Sequence, residues 1–226
     1  MSRYLVFGAT GSIGSEIVEV LRSQGDTVIE ANRTLERAGH LSLNRDDWGS
    51  EAKNLGPFAG LVWAQGVNSS ETVMTASKDN ILGAFEANVV FVAETLKQLF
   101  EAGALKKPCR AVVLSSIWQQ SSRSSKLSYS ISKSALSGLV KSIAIDLASS
   151  QFSINAVLPG VLETKMTRAQ LTSQQLESVQ NRTLGGQLVT IRQIANVVSW
   201  LLSEQSSGIN GQFITVDNGW SVASGI

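Results

Sequence analysis

The sequence is poor in the residues that build disulfides and metal sites. Its 226 residues include one cysteine, Cys109, and one histidine, His40. A single cysteine cannot form an internal disulfide, and a zinc site of the usual Cys/His kind needs more ligands than these two residues supply. We therefore expect neither a disulfide-stabilised secreted fold nor a bound metal, and we interpret Cys109 and His40 as ordinary loop or strand-end residues.

Charge of one sign and long apolar runs are also lacking. The formal net charge is +1, so no long-range field favours nucleic acid or an anionic membrane. No apolar run approaches the roughly 18 to 20 residues that a membrane-spanning helix needs. A strand-like run begins within about three residues of the N-terminus, which leaves no room for a signal peptide. We expect a cytoplasmic protein that binds neither nucleic acid nor membrane.

Short apolar runs alternate with longer segments of helical spacing. The runs predict strands at 4–7, 27–31, 60–66, 111–116, 152–160 and 212–217. Apolar residues three and four apart predict helices over about 13–24, 71–102, 129–149 and 192–203. Strands that are apolar throughout and alternate with helices are typical of an α/β fold, a doubly wound parallel sheet with helices on both faces. Because no linker or repeat interrupts the pattern, we expect residues 1–226 to form a single domain.

Three glycines follow the first strand at regular spacing. Gly8, Gly11 and Gly14 fall three apart, directly after that strand and at the start of the first helix. Glycine permits a tight turn and close backbone approach to a phosphate, and a helix N-terminus offers free N–H groups to an anion. In this strand–turn–helix context the motif predicts a Rossmann-type nucleotide site rather than a plain structural turn.

The end of the second strand bears on the choice between NAD and NADP. A carboxylate there would accept hydrogen bonds from the ribose hydroxyls of NAD and repel a 2′-phosphate. Asn32 and Arg33 occupy the place instead, and an arginine can form charge-assisted hydrogen bonds with that phosphate. Glu30 opposes this interpretation unless its side chain points away. We favour NADP (NADPH) over NAD, the alternative for Arg33 being a solvated surface residue.

The segment KLSYSISKSAL, residues 126–136, places Tyr129 four residues before Lys133. Residues at i and i+4 share a helix face, so the spacing alone is equally compatible with a surface pair. An ammonium group beside a phenol stabilises the tyrosinate and lowers its pKa from near 10, which would suit an acid/base at neutral pH.

Four features occur in a fixed order: the glycine turn, LSS ending a central strand, YSISK opening a helix, and NAVLPGVLET. Ser116 lies 13 residues before Tyr129, and Asn88 lies 28 residues before Ser116. Over essentially the whole chain this set resembles the short-chain dehydrogenase/reductase family, in particular the single-domain branch that includes 3-oxoacyl-carrier-protein reductases.

The resemblance implies roles for four residues. Tyr129 resembles the catalytic acid/base, and Lys133 the residue that binds the nicotinamide ribose and lowers the tyrosine pKa. Ser116 resembles the hydroxyl that holds the carbonyl oxygen. Asn88 resembles the asparagine that supports a proton-relay water. The implied cofactor contacts are Gly8, Thr10, Gly11, Ser12, Ile13, Gly14, Asn32, Arg33, Asn44, Arg45, Ala64, Gly66, Tyr129, Lys133, Pro159, Gly160, Leu162 and Thr164.

The sequence departs from the family pattern in places. Where the family has NNAG, this chain reads WAQG, residues 63–66, so both asparagines are missing. Ser12 stands where this branch has its middle glycine. The stretch 45–60 is short, which implies a trimmed third helix. The polar segment 163–186 is expected to be a substrate lid, and Trp118 is expected either to border the pocket or to pack.

The resemblance implies an NADP-dependent oxidoreductase that reduces a ketone to an alcohol, or the reverse, on a small-molecule carbonyl or alcohol substrate. Two alternatives stay open: a non-catalytic NADP-sensing protein of the same fold, and a reductase of sugar-nucleotide substrates. The family usually pairs the helices that correspond to about 80–102 and 129–149. We therefore expect a homodimer or homotetramer.

Overall fold

The apolar runs form one parallel sheet in the computed structural model, which describes residues 1–32, 40–44, 47–162, 164, 167 and 172–223. The described residues build a seven-stranded sheet in the order β3-β2-β1-β4-β5-β6-β7, with every pairing parallel. This confirms the predicted fold class. The strands are β1 Arg3–Phe7, β2 Thr27–Asn32, β3 His40–Ser42, β4 Phe58–Trp63, β5 Leu105–Leu114, β6 Phe152–Pro159 and β7 Phe213–Val216.

The strand order reverses beside β1. From β1 the chain first builds outward through β2 and β3, then returns to place β4 on the other side of β1. The loops that leave β1 and β4 therefore part in opposite directions, and a crevice opens at the carboxyl ends of these strands. Open α/β sheets bind their ligands at such a switch point. Gly8 follows β1 and Ala64 follows β4, so both lie at this crevice.

Helices cover both faces of the sheet because successive strand residues point to opposite sides. Leu5 and Phe7 belong to one buried core, and Tyr4 and Val6 to the other. Helices α2, α4 and α5 supply buried residues to the first core, and α1 and α7 to the second. The helices are α1 Ser12–Ser23, α2 Trp48–Leu55, α3 Lys78–Phe85, α4 Phe91–Glu101, α5 Leu127–Asp146, α6 Ser173–Asn181, α7 Ile191–Leu202 and α8 Trp220–Ala223.

The predicted helix over 71–102 was wrong in its first part and interrupted in its middle. The backbone N–H of Thr72 donates to Thr75 Oγ1 at 3.0 Å, and Ser77 caps α3 by accepting from the backbone N–H of Asn80. Such side-chain bonds stabilise turns and caps at the expense of helix. A π-helical turn, Glu86–Val90, then separates α3 from α4. Turns of this kind occur frequently at functional sites.

Other predicted bounds shift where strands enter the crevice. The strand predicted at 60–66 ends at Trp63, and the strand predicted at 111–116 ends at Leu114 and begins at Leu105. The short β3 was not predicted, because three residues carry no usable period. Cys109 lies buried within β5 rather than at a loop. Between residues 47 and 60 lies the eight-residue helix α2.

No described helix combines the length and apolar character that crossing a bilayer would require. In the same described residues, no group of three or more His, Cys, Asp or Glu side chains could hold a metal ion.

Candidate active site

Two adjoining cavities line the crevice at the carboxyl ends of the strands. The turn-side cavity, about 370 Å³, lies against the glycine turn, the end of β2 and the residues after β4. The tyrosine-side cavity, about 380 Å³, lies against the start of α1, Ser116, Tyr129 and the loop after β6. Gly11, Ala64 and Gly66 line both cavities, so the two form one elongated cleft.

The glycine turn has the geometry of a phosphate cradle. Gly8 adopts φ +74°, and a Cβ there would lie 2.5 Å from the backbone nitrogen of Gln65. The backbone N–H of Gly11 donates to Gly8 O at 3.1 Å, and no side chain caps the start of α1. The first N–H groups of this helix are thus left for a ligand, and they favour an anion. Thr10, Gly11, Ser12 and Ile13 line the cleft as predicted.

Gly14 has a different place. A Cβ at Gly14 would lie 2.2 Å from Gly8 O, so only glycine lets the first turn of α1 rest on the glycine turn. Gly14 is buried and lines neither cavity. Its position indicates helix–strand packing rather than phosphate contact.

The polar groups at the end of β2 have different partners. Asn32 is buried and lines the turn-side cavity, and its Nδ2 lies 3.0 Å from His40 Nδ1. The carboxylate of Glu30 instead pairs with Arg22 on α1, at 2.9 Å between Nη2 and Oε1. The predicted contacts Arg33 and Arg45 lie outside the described residues. Asn44 is exposed, and its neighbour Leu43 lines the cavity in its place.

Ser116 and Tyr129 meet in the tyrosine-side cavity. Ser116 lies two residues beyond β5, and Tyr129 lies in the first turn of α5. Burial raises the pKa of Tyr129, and a side-chain hydrogen bond with Ser116 acts in the opposite direction. The phenol therefore stays protonated at neutral pH and is held beside a second hydroxyl.

Lys133 lies one helical turn after Tyr129 and is buried at 4% exposure. Its Nζ donates to Leu114 O at 2.8 Å and lies 5.7 Å from the centroid of the Tyr129 ring. Burial lowers the pKa of the Lys133 ammonium to about 8. Lys133 therefore loses its proton not far above neutral pH. While it is charged, its ammonium lies close enough to Tyr129 to stabilise a phenolate there.

Asn88 lies in the π-helical turn, and both polar atoms of its side chain form hydrogen bonds. Its Oδ1 accepts from Val67 N at 2.9 Å, and its Nδ2 donates to Val67 O at 3.1 Å and to Ser132 Oγ at 2.8 Å. A Cβ on Gly66 would lie 3.1 Å from Asn88 Oδ1 and 3.4 Å from Lys133 Nζ. Asn88 and Lys133 therefore lie together directly behind Gly66, which forms part of the cleft wall.

The loop after β6 closes the other side of the tyrosine-side cavity. Gly160, Leu162 and Thr164 line it, whereas Pro159 is buried at the end of β6 and lines neither cavity. Thr164 Oγ1 lies 2.9 Å from Thr167 Oγ1, which also lines the cavity. The described part of the predicted lid includes α6; residues 163, 165–166 and 168–171 lie outside the description.

The unusual WAQG segment is accommodated by packing. The Trp63 ring is fully buried and stacks on Phe7 at 5.6 Å between centroids, and its Nε1 donates to Thr95 Oγ1 at 2.9 Å. Gln65 lines the turn-side cavity, and its Oε1 is buried without a hydrogen-bond partner. Since buried acceptors normally find a donor, Gln65 Oε1 marks a place for a donor from a ligand.

Several cleft residues were not found by sequence reasoning. Lys126, Arg123 and Asn68 line the tyrosine-side cavity. The available signal was the position of Lys126 at the start of the segment KLSYSISKSAL, three residues before Tyr129. Trp118 lines the same cavity and packs edge-on against Trp220 at 5.6 Å between centroids.

Glu71 organises the start of α5 from a distant loop. Its carboxylate accepts from the Ser128 hydroxyl and from Asn80 Nδ2, the latter at 2.8 Å. The hydrogen bond from Ser128 is the main cause that holds the pKa of Glu71 below its usual range. An anion at this end of a helix also interacts favourably with the helix dipole. Glu71 thereby links its loop to the first turn of α5, which carries Tyr129.

A family model described as enoyl-(acyl carrier protein) reductase matches residues 46–221. The chain belongs to the short-chain dehydrogenase/reductase family. Members of this family are oxidoreductases, and the protein is accordingly a dehydrogenase/reductase enzyme for ketone/alcohol redox chemistry with a nicotinamide cofactor.

Curated short-chain dehydrogenase/reductase relatives match along nearly the whole chain. An uncharacterised oxidoreductase, YmfI of Bacillus subtilis, is 27% identical, with 96% of this chain and 97% of the relative covered. The 3-oxoacyl-[acyl-carrier-protein] reductase FabG of Salmonella typhimurium is 28% identical, with 95% of each chain covered.

Solved structures of the family share the fold. A short-chain dehydrogenase family protein from Francisella tularensis superposes with a TM-score of 0.84 at 22% identity, over 98% of this chain and 99% of that one. The ligand-free aldohexose dehydrogenase of Thermoplasma acidophilum gives a TM-score of 0.84 at 21% identity, over 100% and 96% of the two chains. At these identities the likeness concerns the fold.

Proposed function

We propose that this short-chain dehydrogenase/reductase is an NADP-dependent enzyme that reduces a ketone to an alcohol, or runs the reverse reaction. The observation that carries the proposal is the meeting of Ser116, Tyr129, Lys133 and Asn88 around one end of the cleft. A protein that only senses a nucleotide needs none of these contacts. We also propose that residues 1–226 work as one domain.

The turn-side half of the cleft fits the cofactor. The Gly8 cradle leaves no room for a Cβ, α1 begins without a side-chain cap, and Gln65 Oε1 is without a donor. NADPH, when bound, supplies the hydride. We propose that Gly8, Gly11 and the start of α1 hold its pyrophosphate.

The preference for NADP is supported by what lies at the end of β2. Glu30 is paired with Arg22, so the carboxylate that might have opposed a 2′-phosphate points elsewhere. Asn32 lines the cavity and carries no charge. We propose Arg33 and Arg45 as contacts of the 2′-phosphate.

The protein's own side chains carry out the proton transfer. As the carbonyl carbon receives hydride, Tyr129 gives its phenolic proton to the carbonyl oxygen and becomes a phenolate. Lys133 stabilises that phenolate by its charge, and Ser116 holds the oxygen by a hydrogen bond. Asn88 supports the water-mediated return of a proton to Tyr129. The remaining cofactor contacts predicted from the sequence are part of the same proposal.

We further propose that the enzyme acts in the cytoplasm on a small-molecule substrate, as a homodimer or homotetramer. The support for assembly is the apolar surface on α5, where Ile131 and Ile145 are exposed.

The proposal is tested by following NADPH absorbance with a panel of 3-oxoacyl thioesters, small diketones, keto-sugars and steroid ketones. We expect turnover with at least one class and a loss of about 10²-fold or more in the Tyr129→Phe variant, the lower range of a general acid's contribution. NADPH binding, measured by fluorescence titration, should persist in the variant, because Tyr129 is only one of many proposed cofactor contacts. Turnover that survives the substitution would remove Tyr129 as the acid. A protein that binds neither NADPH nor NADH would contradict the enzyme proposal.

A further inference from the structure

We infer that the tyrosine-side cavity accepts a ketone that also carries an anionic group, a carboxylate or a phosphate, held by Lys126 and Arg123. This inference rests on the proposed function and names its substrate class. It follows from the charges that line the described part of the cavity, which are of one sign.

Lys126 is a buried cation at the cavity wall. It is 6% exposed and lies immediately before the first residue of α5. Its Nζ donates to Asn68 Oδ1 at 2.7 Å, and lies 3.3 Å from Ser70 Oγ and 3.4 Å from Ser69 O. All of these partners are neutral, so the ammonium is oriented without being neutralised. A buried charge of this kind is costly unless a counter-charge is supplied.

The position of Lys126 is unfavourable on helical grounds as well. The N-terminus of a helix carries partial positive charge and favours an acidic or small polar residue there. Burial and the nearby Arg123 both lower the pKa of the Lys126 ammonium. An anionic ligand between the two side chains would offset both the burial of the Lys126 ammonium and its repulsion from Arg123. Binding such a ligand is a function that would explain this arrangement, which folding alone does not.

Arg123 provides a second cation on the same wall. Its guanidinium carbon lies 5.8 Å from the centroid of the Trp118 ring, and both residues line the cavity. Trp118 in turn packs against Trp220, over which Arg182 lies at 4.8 Å. The guanidinium is thus held at the cavity by an aromatic ring rather than by a carboxylate.

No acidic residue lines the described part of this cavity. Within the same described chain, neither Lys126 nor Arg123 forms an ion pair. Glu71 lies in the neighbouring loop, but its carboxylate accepts from Ser128 and Asn80 instead. The cavity therefore offers two positive charges to whatever enters it, although the net charge of the whole chain is only +1.

The Lys126 charge lies close to the reacting position. Lys126 Nζ is 6.0 Å from the centroid of the Tyr129 ring, on which the proposed acid sits. A cavity of about 380 Å³ accepts a small molecule, so the ketone carbonyl and the anionic group must belong to one short skeleton. The cofactor's own phosphates have a separate cradle at Gly8 and the start of α1.

The experiment compares matched pairs of ketones with NADPH. Pyruvate, acetoacetate and levulinate are each measured beside their methyl esters, and dihydroxyacetone phosphate beside dihydroxyacetone. We expect at least one anion to exceed its neutral partner in kcat/KM. In Lys126→Gln, KM for that anion should rise about 10- to 100-fold, the effect of losing one charge-assisted hydrogen bond. The neutral partner should change less than about 2-fold. Lys53→Gln, at an exposed lysine on α2 that lines neither cavity, is the matched control.

Calorimetric binding of the same pairs to the protein, with and without NADP, provides a readout independent of turnover. Tighter binding of an anion than of its neutral partner, lost in Lys126→Gln, would support the inference even if no tested ketone is reduced. Equal binding of both partners would overturn it. So would a Lys126→Gln variant that loses NADPH affinity with no change toward the anions, since the cations would then serve the cofactor. The Tyr129→Phe variant abolishes turnover without touching these charges, which separates failure of this inference from failure of the proposed function.

Discussion

At the scale of single residues, burial sets the chemistry of the site. Lys133 and Tyr129 are both removed from water, and burial disfavours the charged form of each. The pKa of Lys133 falls to about 8, and that of Tyr129 rises. The two shifts keep the phenol protonated at neutral pH, ready to donate, while the lysine beside it remains mostly charged.

The shift of Lys133 predicts a pH profile. Below about pH 8 Lys133 is an ammonium, and above it the neutral amine dominates, so stabilisation of the phenolate fades as pH rises. We expect kcat/KM for ketone reduction to fall with an inflection near pH 8. Tyr129 contributes no fall there, because its own pKa is raised. The measurement is initial rate against pH at low ketone concentration with saturating NADPH.

Lys133→Arg is the control for that profile. An arginine stays charged throughout this range, so the inflection near pH 8 should disappear from whatever activity remains. An unchanged inflection in the variant would assign it to another group.

At the scale of helices and strands, close contacts between elements position the cleft, rather than the helix and strand propensities of the residues. Trp63 fastens β4 to α4 through Thr95 and to β1 through Phe7. Trp63 thus joins β4 to its neighbours through one hydrogen bond and one stacked ring pair. Gly14 joins α1 to the glycine turn by leaving room for Gly8 O.

Gly14 and Gly49 both lie near the start of a helix, so replacing each by alanine gives a matched test of the contact between α1 and the glycine turn. In Gly14→Ala the new Cβ would lie 2.2 Å from Gly8 O, whereas in Gly49→Ala, on α2, it would lie 3.9 Å from Ala102 Cβ. We expect Gly14→Ala to lower the free energy of unfolding by about 1–3 kcal/mol, the usual cost of forcing backbone apart, and to weaken NADPH binding. Gly49→Ala should be neutral or stabilising by less than about 1 kcal/mol.

Urea denaturation and NADPH titration of both variants give the comparison. Equal stability of the two variants would mean that the start of α1 can move away from the turn at no cost.

Short-range patterns predicted most of the strands. The four central site residues, Asn88, Ser116, Tyr129 and Lys133, were predicted from the resemblance to the short-chain dehydrogenase/reductase family, which rests on the order and spacing of its motifs. What the patterns missed depends on contacts between distant segments. Lys126 meets Asn68 from 58 residues away, and Glu71 reaches Ser128 across 57. No period or motif encodes such pairs, so the charge of the substrate cavity became visible only when the chain was folded.

At the scale of the whole molecule, α5 carries apolar surface that the monomer does not bury. Ile131 and Ile145 are 42% and 76% exposed, and Gly138 lies midway between them with nothing within 4 Å of its Cβ position. Residues seven apart share one face of a helix. This stripe lies opposite Leu136 and Val140, which are buried against the sheet. A face of this kind suits close approach of a second copy of the same helix.

The stripe predicts the assembly state. We expect light scattering of the wild-type protein to give the mass of a homodimer or homotetramer. Ile145→Lys should shift the mass toward a smaller species, because burying a lysine without a partner opposes association. Met74→Lys, at an 88% exposed loop position outside the stripe, should leave the mass unchanged. A wild-type monomer, or an Ile145→Lys variant of unaltered mass, would show that α5 faces solvent.

Since Tyr129 and Lys133 lie on the same helix, an interface along α5 would also hold the catalytic end of the cleft in place. The smaller species should then lose activity together with mass.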